Sequence, residues 1–399
     1  MIHIRSRRVG AVLAGVGGAV MAVFLVVLVL SGGDLVYAWR VLAYQESDTR
    51  DTEWKASVPI PATDPRPWPA EVDCAPVNAA LRATGADGLD DWLHAGGGSA
   101  FVVIQNGVLT CEDYADGITA SSALPVFSVS KTLTSLLLSR AVEEGVVDYD
   151  DSIVEYLPEL AERDARFADI TLGDLVDMRS GIAFTVAAGF PFLDQDAARV
   201  YYATDLRAAL LRYPEIVAAP GTFAYNDYAP NLIGLALERA GQSAIGTDMS
   251  RLWQQLGAQD GAKWLVDDAG FAWHESGLVA SARDLARVGE LLLDGGQADG
   301  RPVAPDAFLA RTQSRGGAET VQSLAADGMG YANGWWVLDS GRSYVALGRY
   351  GQLVVVHPKT RTVIVRLGVE GYEGHESDAA IARRLTAVAE QLGGSVGDD

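Results

Sequence analysis

Lysine, histidine and cysteine are scarce in this sequence, and their scarcity excludes several kinds of protein. The 399 residues include four lysines, five histidines and two cysteines, and the formal net charge is −21. So acidic a chain lacks the basic surface that binds nucleic acid, and we expect no nucleic-acid partner. The histidines form no H-E-x-x-H pair, so no metal site is predicted. They are His3, His94, His274, His357 and His375.

A phosphate-binding glycine loop is also missing. The glycine run 96–98 is not followed by the Lys-Ser or Lys-Thr that such a loop requires. We therefore predict no cofactor.

Charged residues are absent from one long apolar stretch near the N-terminus. Arg5, Arg7 and Arg8 precede residues 9–30, which are long enough to cross a bilayer as a helix. The arginines place residues 1–8 in the cytoplasm and everything after residue 31 on the extracytoplasmic, periplasmic side. The alternative is a cleaved signal peptide, but no A-x-A-like site follows residue 30. We expect a retained single-pass anchor in the cell membrane, with the lipid bilayer as its partner.

Residues 31–75 are rich in proline and tryptophan. Proline interrupts helices, so this composition predicts an extended strap between the anchor and the globular part. The residues concerned are Trp54, Pro59, Pro61, Pro65, Pro67, Trp68 and Pro69.

The two cysteines, Cys74 and Cys111, are an even pair in a chain that we expect to be exported. An oxidising compartment favours a disulfide between them, and two separate buried thiols are the alternative.

Short β-rich stretches occur at both ends of residues 76–394, with helical patterns between them. Asn106-Gly107 lies between two such stretches, 100–104 and 108–111, which is a strong hairpin signal. Further stretches lie at 335–338, 344–347, 353–356 and 363–365, before a final helix at 378–392. This order predicts an α+β domain. Its antiparallel sheet is built from both ends of the domain, with flanking helices, a mostly helical inserted subdomain and a short tail at 395–399.

Ser128 and Lys131 are the first candidates for chemistry. They are three positions apart at the start of an apolar helical pattern, so they share one helix face. A serine hydroxyl needs a nearby base, and burial can lower the pKa of a lysine until it serves as one. Ser130 is a rival nucleophile by type, but adjacent helical residues do not face each other. A capping serine beside a solvated lysine is the structural alternative.

A second polar group, Tyr225-Asn226-Asp227, follows a Pro-Gly-Thr turn. With Ser128-x-x-Lys131 before it and Tyr350-Gly351 after it, this order resembles the serine β-lactamase-related family over about residues 100–392. That family includes class C β-lactamases, DD-peptidases, esterases and 6-aminohexanoate-dimer hydrolases.

The resemblance implies a role for each matching residue. Ser128 would be the nucleophile, while Lys131 and Tyr225 would move protons. Asp227 stands where the family usually has asparagine, so a carboxylate replaces an amide donor there. The backbone N–H of Ser128 and one near Gly348 and Arg349 would form the oxyanion hole.

The family's third motif begins with a cation, but here the corresponding residues are Ala346-Leu347-Gly348. The missing cation argues against β-lactams, whose carboxylate it would help to hold. We therefore expect an exported, membrane-anchored serine hydrolase acting through an acyl-enzyme on a small ester or amide. A DD-peptidase or β-lactamase, and a catalytically silent binding protein of the same fold, are the alternatives. No oligomeric state is predicted.

Overall fold

The computed structural model describes residues 21–186, 193–241, 244–313, 329–338, 342–369 and 376–394. The predicted cytoplasmic end (1–8), the first part of the predicted anchor (9–20) and the tail (395–399) lie outside the described residues.

A seven-stranded antiparallel sheet is the centre of the fold. Its strand order is β3-β2-β13-β12-β11-β10-β9, so the N-terminal hairpin pairs with strands from the C-terminal part of the chain. This arrangement confirms the α+β architecture expected from the sequence. The strands are β2 (Gly98–Gln105), β3 (Val108–Tyr114), β9 (Met329–Ala332), β10 (Trp335–Leu338), β11 (Ser343–Gly348), β12 (Gln352–His357) and β13 (Thr362–Gly368).

The hairpin between β2 and β3 turns at Asn106 and Gly107. Both have positive φ, at 52° and 75°, which is the backbone geometry that a tight two-residue turn needs. The Asn-Gly pair therefore marked the turn correctly.

Both faces of the large sheet are covered by helices. On β12 and β13, Val355 and Ile364 belong to the same apolar core as the C-terminal helix α14 (Asp378–Gly394), while Val356 and Val363 belong to the core that contains helix α12 (Ala282–Leu293). Successive side chains point to opposite faces of a strand, so a sheet buried on both faces has apolar residues throughout.

The region between β3 and the late strands is mainly helical, as predicted. Its α5 contacts α10 and the turn that carries Ser128. The helices of the domain are α3 (Ala75–Ala83), α4 (Leu89–Ala95), α5 (Ser130–Glu143), α6 (Pro158–Arg163), α7 (Leu172–Val176), α8 (Asp196–Tyr201), α9 (Leu206–Arg212), α10 (Tyr228–Arg239), α11 (Ile245–Leu256), α12 (Ala282–Leu293), α13 (Asp306–Gln313) and α14 (Asp378–Gly394).

The prediction of an extended strap over residues 31–75 was wrong in its first part. Leu35–Tyr44 form a helix, α2, and β1 (Ala56–Ile60) joins a second, four-stranded sheet in the order β1-β5-β6-β4. The proline pattern begins only after α2, so it does not prevent that helix. The other strands of this sheet are β4 (Leu124–Pro125), β5 (Ala262–Val266) and β6 (Leu278–Ala280), and β7 (Gln297–Ala298) pairs with β8 (Arg301–Pro302).

The predicted transmembrane helix is not found as a single span in the part of the chain that the structure describes. No one helix there is both long and apolar enough to cross a membrane. A bent pair, α1 (Met21–Leu30) and α2, satisfies the length and composition together, with an angle of 101° between the two helices.

Cys74 and Cys111 form a disulfide that ties the start of α3 to β3. Their Cα atoms are 4.7 Å apart, within the normal range for a bonded pair. The bridge fastens the segment before α3 to the large sheet.

Removing this disulfide should destabilise the protein. The bridged cysteines are 37 positions apart, and closing a loop of that length stabilises by roughly 4 kcal/mol in the chain-entropy account. We expect the double variant Cys74→Ser/Cys111→Ser to lose up to about that free energy of unfolding in a urea titration. Thiol counting on the unfolded, unreduced wild type should find no free thiol, and two free thiols would contradict the bridge.

Candidate active site

The candidate nucleophile lies at a junction between two kinds of helix. Phe127–Val129 form a 3₁₀ turn that runs directly into α5, with Lys131 in the first turn of the α-helix. The Nζ atom of Lys131 donates a hydrogen bond of 2.7 Å to Oγ of Ser128. The spacing that predicted a shared face is therefore realised in the structure.

Ser130, the rival nucleophile, is fully buried and has a structural partner. Its hydroxyl oxygen accepts a hydrogen bond of 3.0 Å from the backbone N–H of Leu278, on β6. Ser130 therefore joins α5 to the four-stranded sheet, called the small sheet below.

Lys131 is surrounded by groups from two distant segments and from its own helix start. Besides Ser128, its ammonium contacts Oδ1 of Asp227 at 2.8 Å and the backbone carbonyl of Glu275 at 3.0 Å. The ring of Tyr225 lies beside the same ammonium, with its centroid 4.9 Å from Nζ of Lys131. The structure thus brings together Ser128, Lys131, Tyr225 and Asp227, and it excludes a solvated lysine.

Asn226 and Asp227 are neighbours in the loop before α10, but their side chains have different partners. The side-chain oxygen of Asn226 accepts a hydrogen bond of 2.8 Å from the N–H of Ala229, so it caps the start of α10. Asp227 instead faces Lys131. The ring of Tyr225 stacks on Trp336 of β10, with centroids 5.6 Å apart, which fixes the direction of its hydroxyl.

The charges around Lys131 overturn the expectation that burial lowers the pKa of this lysine. Burial alone would lower the pKa of Lys131, but Asp227, and after it Tyr225, outweigh burial and raise that pKa above its ordinary value. Burial also raises the pKa of Tyr225, against the opposing effect of Lys131. The resting site therefore contains a protonated lysine and a neutral tyrosine.

The end of β11 lies against the turn that carries Ser128. Gly348 approaches the turn before Ser128 so closely that a Cβ atom there would lie 2.3 Å from the carbonyl oxygen of Val126. Phe127 and Tyr350 both have positive φ, at 46° and 64°, and their rings pack edge to face at 5.5 Å. Such backbone strain is typical of functional sites, where packing holds it in place.

The third-motif position is apolar and buried. Ala346 is 1% exposed, in the middle of β11. Arg349, a basic residue three positions after Ala346, forms an ion pair with Glu46. Its charge is therefore partly neutralised at the rim of the site.

A cavity of about 210 Å³ lies beside Ser128. It carries three acidic side chains and one basic one, and two of the acids are paired, Glu46 with Arg349 and Asp227 with Lys131. Its lining includes Gln45, Glu46, Ser47, Phe127, Ser128, Tyr201, Tyr202, Asp227, Glu275, Ser276 and Arg349.

Two buried ionisable residues of this region were missed in the sequence analysis. Burial raises the pKa of Glu275 to about 7 and lowers the pKa of Lys55 to about 7. The ammonium of Lys55 lies over the rings of Tyr201 and Trp273, at 3.2 and 3.9 Å from their centroids. The scarcity of lysine was the one available signal for Lys55, and Glu275 is adjacent to His274, which the sequence analysis did name.

The histidines that the structure describes lie apart from this cavity. His274 is buried against Gly234 of α10, where a Cβ atom would approach its ring to 2.1 Å. His94 lies with Asp90 and Asp113 in a group whose potential ligand atoms are within 4.8 Å of one another. No other contact suggests a role for that group.

The Beta-lactamase family model matches residues 90–388, about three quarters of the chain. The chain belongs to this family. A 6-aminohexanoate-dimer hydrolase from Paenarthrobacter ureafaciens is 28% identical over 291 residues, which cover 67% of this chain and 71% of the relative. Family membership and the hydrolases among its relatives identify the protein as a serine hydrolase.

Solved structures of the Beta-lactamase family share its fold. A putative 6-aminohexanoate-dimer hydrolase from Bacillus anthracis has a TM-score of 0.74 at 23% identity, covering 88% of this chain and 93% of the other. A D-amino acid amidase from Ochrobactrum anthropi SV3 has a TM-score of 0.57 at 16% identity, covering 80% and 99%. At these identities the likeness concerns the fold alone.

Replacing Asp227 by asparagine should change the pH dependence of catalysis. If neutral Lys131 is the base, activity rises as pH rises towards the pKa of Lys131, which Asp227 raises. Asp227→Asn removes that negative charge, so the midpoint of the rise in kcat/KM should move to lower pH by about one unit or more. Asp164→Asn, in a surface ion pair, is the control and should leave the profile unchanged. A midpoint that stays or rises would contradict this prediction.

Proposed function

We propose that the protein hydrolyses a small ester or amide through an acyl-enzyme on Ser128. The observation that carries the proposal is the contact between Ser128 and Lys131, with Tyr225 and Asp227 around it and a cavity beside it. A nucleophile, a proton acceptor and an orienting group in mutual contact are the arrangement that covalent hydrolysis requires.

The chemistry follows from these contacts. Neutral Lys131 accepts the proton of Ser128 as the serine oxygen bonds to the substrate carbonyl carbon, and backbone N–H groups beside Gly348 stabilise the oxyanion. Tyr225, beside Lys131, delivers a proton to the leaving alcohol or amine as the carbon–heteroatom bond breaks, and it regains that proton from Lys131, which is then neutral again. Water transfers a proton to Lys131 as its oxygen bonds to the acyl carbon. This proton passes to the oxygen of Ser128 as the acyl–serine bond breaks and the acid leaves.

The pairing of charges in the cavity supports uncharged substrates over penicillins. Ala346 supplies no cation, while Arg349 is paired with Glu46 and Lys131 with Asp227, so neither of these basic side chains is left to bind a substrate carboxylate. The carboxylate of a β-lactam would give up water there without gaining a cationic partner. The relatives named as 6-aminohexanoate-dimer hydrolase and D-amino acid amidase support an amide as readily as an ester.

We also propose that residues 9–30 anchor the chain in the cell membrane, with the catalytic domain outside the cytoplasm. The arginines before this apolar stretch support that orientation. The disulfide between Cys74 and Cys111 supports an oxidising compartment.

Substitutions at the two neighbouring serines should separate the nucleophile from the structural residue. Ser128→Ala should abolish both turnover and labelling by a fluorophosphonate, because no oxygen remains to attack the carbonyl. Ser130→Ala should still be labelled, since Ser130 only bonds the backbone of Leu278. Lys131→Ala and Tyr225→Phe should each lose roughly a hundredfold in turnover, the usual effect of removing a positioned proton carrier. Labelling that survives in a folded Ser128→Ala, checked by circular dichroism, would refute the assignment.

Substrate charge should decide the order of reactivity. Short-chain 4-nitrophenyl esters should have a kcat/KM at least about tenfold above that of nitrocefin, a difference of about 1.4 kcal/mol in transition-state binding. A methyl ester of the same cephalosporin is the matched control. Its kcat/KM should lie closer to that of the 4-nitrophenyl esters than the kcat/KM of nitrocefin does, because its negative charge is gone. Efficient nitrocefin hydrolysis would instead favour the β-lactamase alternative.

A further inference from the structure

Helix α2 packs on the catalytic domain with one face and exposes apolar side chains on the other. One face packs on the catalytic domain through Tyr37 and Arg40, which bond to the carbonyl of Leu193 at 2.9 Å and to the carboxylate of Asp268 at 2.7 and 2.8 Å. The other face carries large apolar side chains in the open. Leu35 is 48% exposed, Val36 50% and Trp39 59%.

This exposed face continues an apolar surface on α1. The described part of α1 exposes six more large apolar side chains immediately before the 101° bend. They are Met21, Val23, Phe24, Leu25, Val26 and Val29. A helix that is apolar on its outer side, carries a tryptophan there and follows a bilayer-length apolar stretch suits the membrane–water interface.

The residues that directly follow α2 form part of the wall of the catalytic cavity. Gln45, Glu46 and Ser47 line the cavity. Glu46 pairs with Arg349, and the hydroxyl of Tyr350 donates to the carbonyl of Ser47. The wall is thus bonded directly to the residues that follow β11.

The distance between the apolar face and the cavity is short. Gln45 follows Trp39 by six residues, about 9 Å along a helix axis, and Leu35 by ten, about 15 Å. The cavity therefore lies within roughly this distance of any surface on which the apolar face of α2 rests.

We propose that α2 lies in the membrane interface on its Leu35, Val36 and Trp39 face, and that the catalytic cavity takes amphiphilic esters or amides from the bilayer surface. The inference rests on the proposed anchored serine hydrolase and names its substrate class. The bend after α1 turns the chain from crossing the bilayer to lying along it, and the polar face of α2 joins the domain to that surface.

A site-specific label tests where α2 lies. Both natural cysteines are bonded to each other, so Val36→Cys introduces one free thiol for a polarity-sensitive fluorophore. In full-length protein reconstituted in phosphatidylcholine–phosphatidylglycerol vesicles, the label should report an apolar environment and resist aqueous quenchers. Lys359→Cys is the control, because Lys359 is exposed and follows the end of β12 that is farther from the active site, seven residues after Gln352. Flotation of the vesicles after a high-salt wash checks the anchor first.

Activity on two matched esters tests the consequence. Leu35→Asp/Val36→Asp should lower hydrolysis of 4-nitrophenyl palmitate carried in the vesicles by about tenfold or more, because charged residues leave the interface. Hydrolysis of soluble 4-nitrophenyl acetate should stay within about twofold, since neither residue lines the cavity. Val72→Asp, at another exposed apolar residue, should affect neither ester.

Several results would overturn the inference. One is a Val36 label as open to quenchers as the Lys359 label. Others are unchanged palmitate hydrolysis in the aspartate variant, or equal losses on both esters. Shielding in native membranes but not in protein-free vesicles would assign the face to a protein partner instead. Wild-type hydrolysis of acetate separates these failures from failure of the proposed hydrolase, because it depends on Ser128 and not on α2.

Discussion

The burial of the Lys131 ammonium is the constraint on which the site depends. A charge removed from water needs close partners, and Lys131 finds them in Asp227, the carbonyl of Glu275 and the hydroxyl of Ser128. These groups lie on segments 96 and 144 residues away and on its own helix. The helical subdomain and the small sheet must both be folded before the lysine is fully paired.

The same pairing sets the chemistry available to the site. A lysine that is buried without a carboxylate becomes a better base, whereas Asp227 keeps this one protonated. Asp227 thus stabilises the buried charge and, at the same time, restricts the neutral amine to higher pH. Because Asp227 also balances the charge of Lys131, this lysine cannot serve as the cation that binds an anionic substrate, so one carboxylate in place of an amide affects both protonation and selectivity.

The segment before the domain proves to be part of the site rather than a tether. Lys55 is buried among Tyr201 and Trp273, and Glu46 pairs with Arg349. This segment contains Lys55 and strand β1 of the four-stranded sheet. The cavity is therefore complete only when the segment is packed on the domain. Helix α2 and the catalytic cavity are therefore connected over a few residues.

Local patterns in the sequence determined the features that depend on neighbours along the chain. Asn106-Gly107 predicted the hairpin because its turn needs two positive φ angles, and the three-residue spacing of Ser128 and Lys131 placed both on one side of a helix start. The late β-rich stretches predicted β10 to β13, and the ordered motifs indicated the family. What only the tertiary structure decided depends on distant contacts. The raised pKa of Lys131, the burial of Glu275 with Lys55, and the pairing of β1 with β5 each join segments more than 90 residues apart. No local pattern records such contacts, because they arise when separate elements pack and exclude water together.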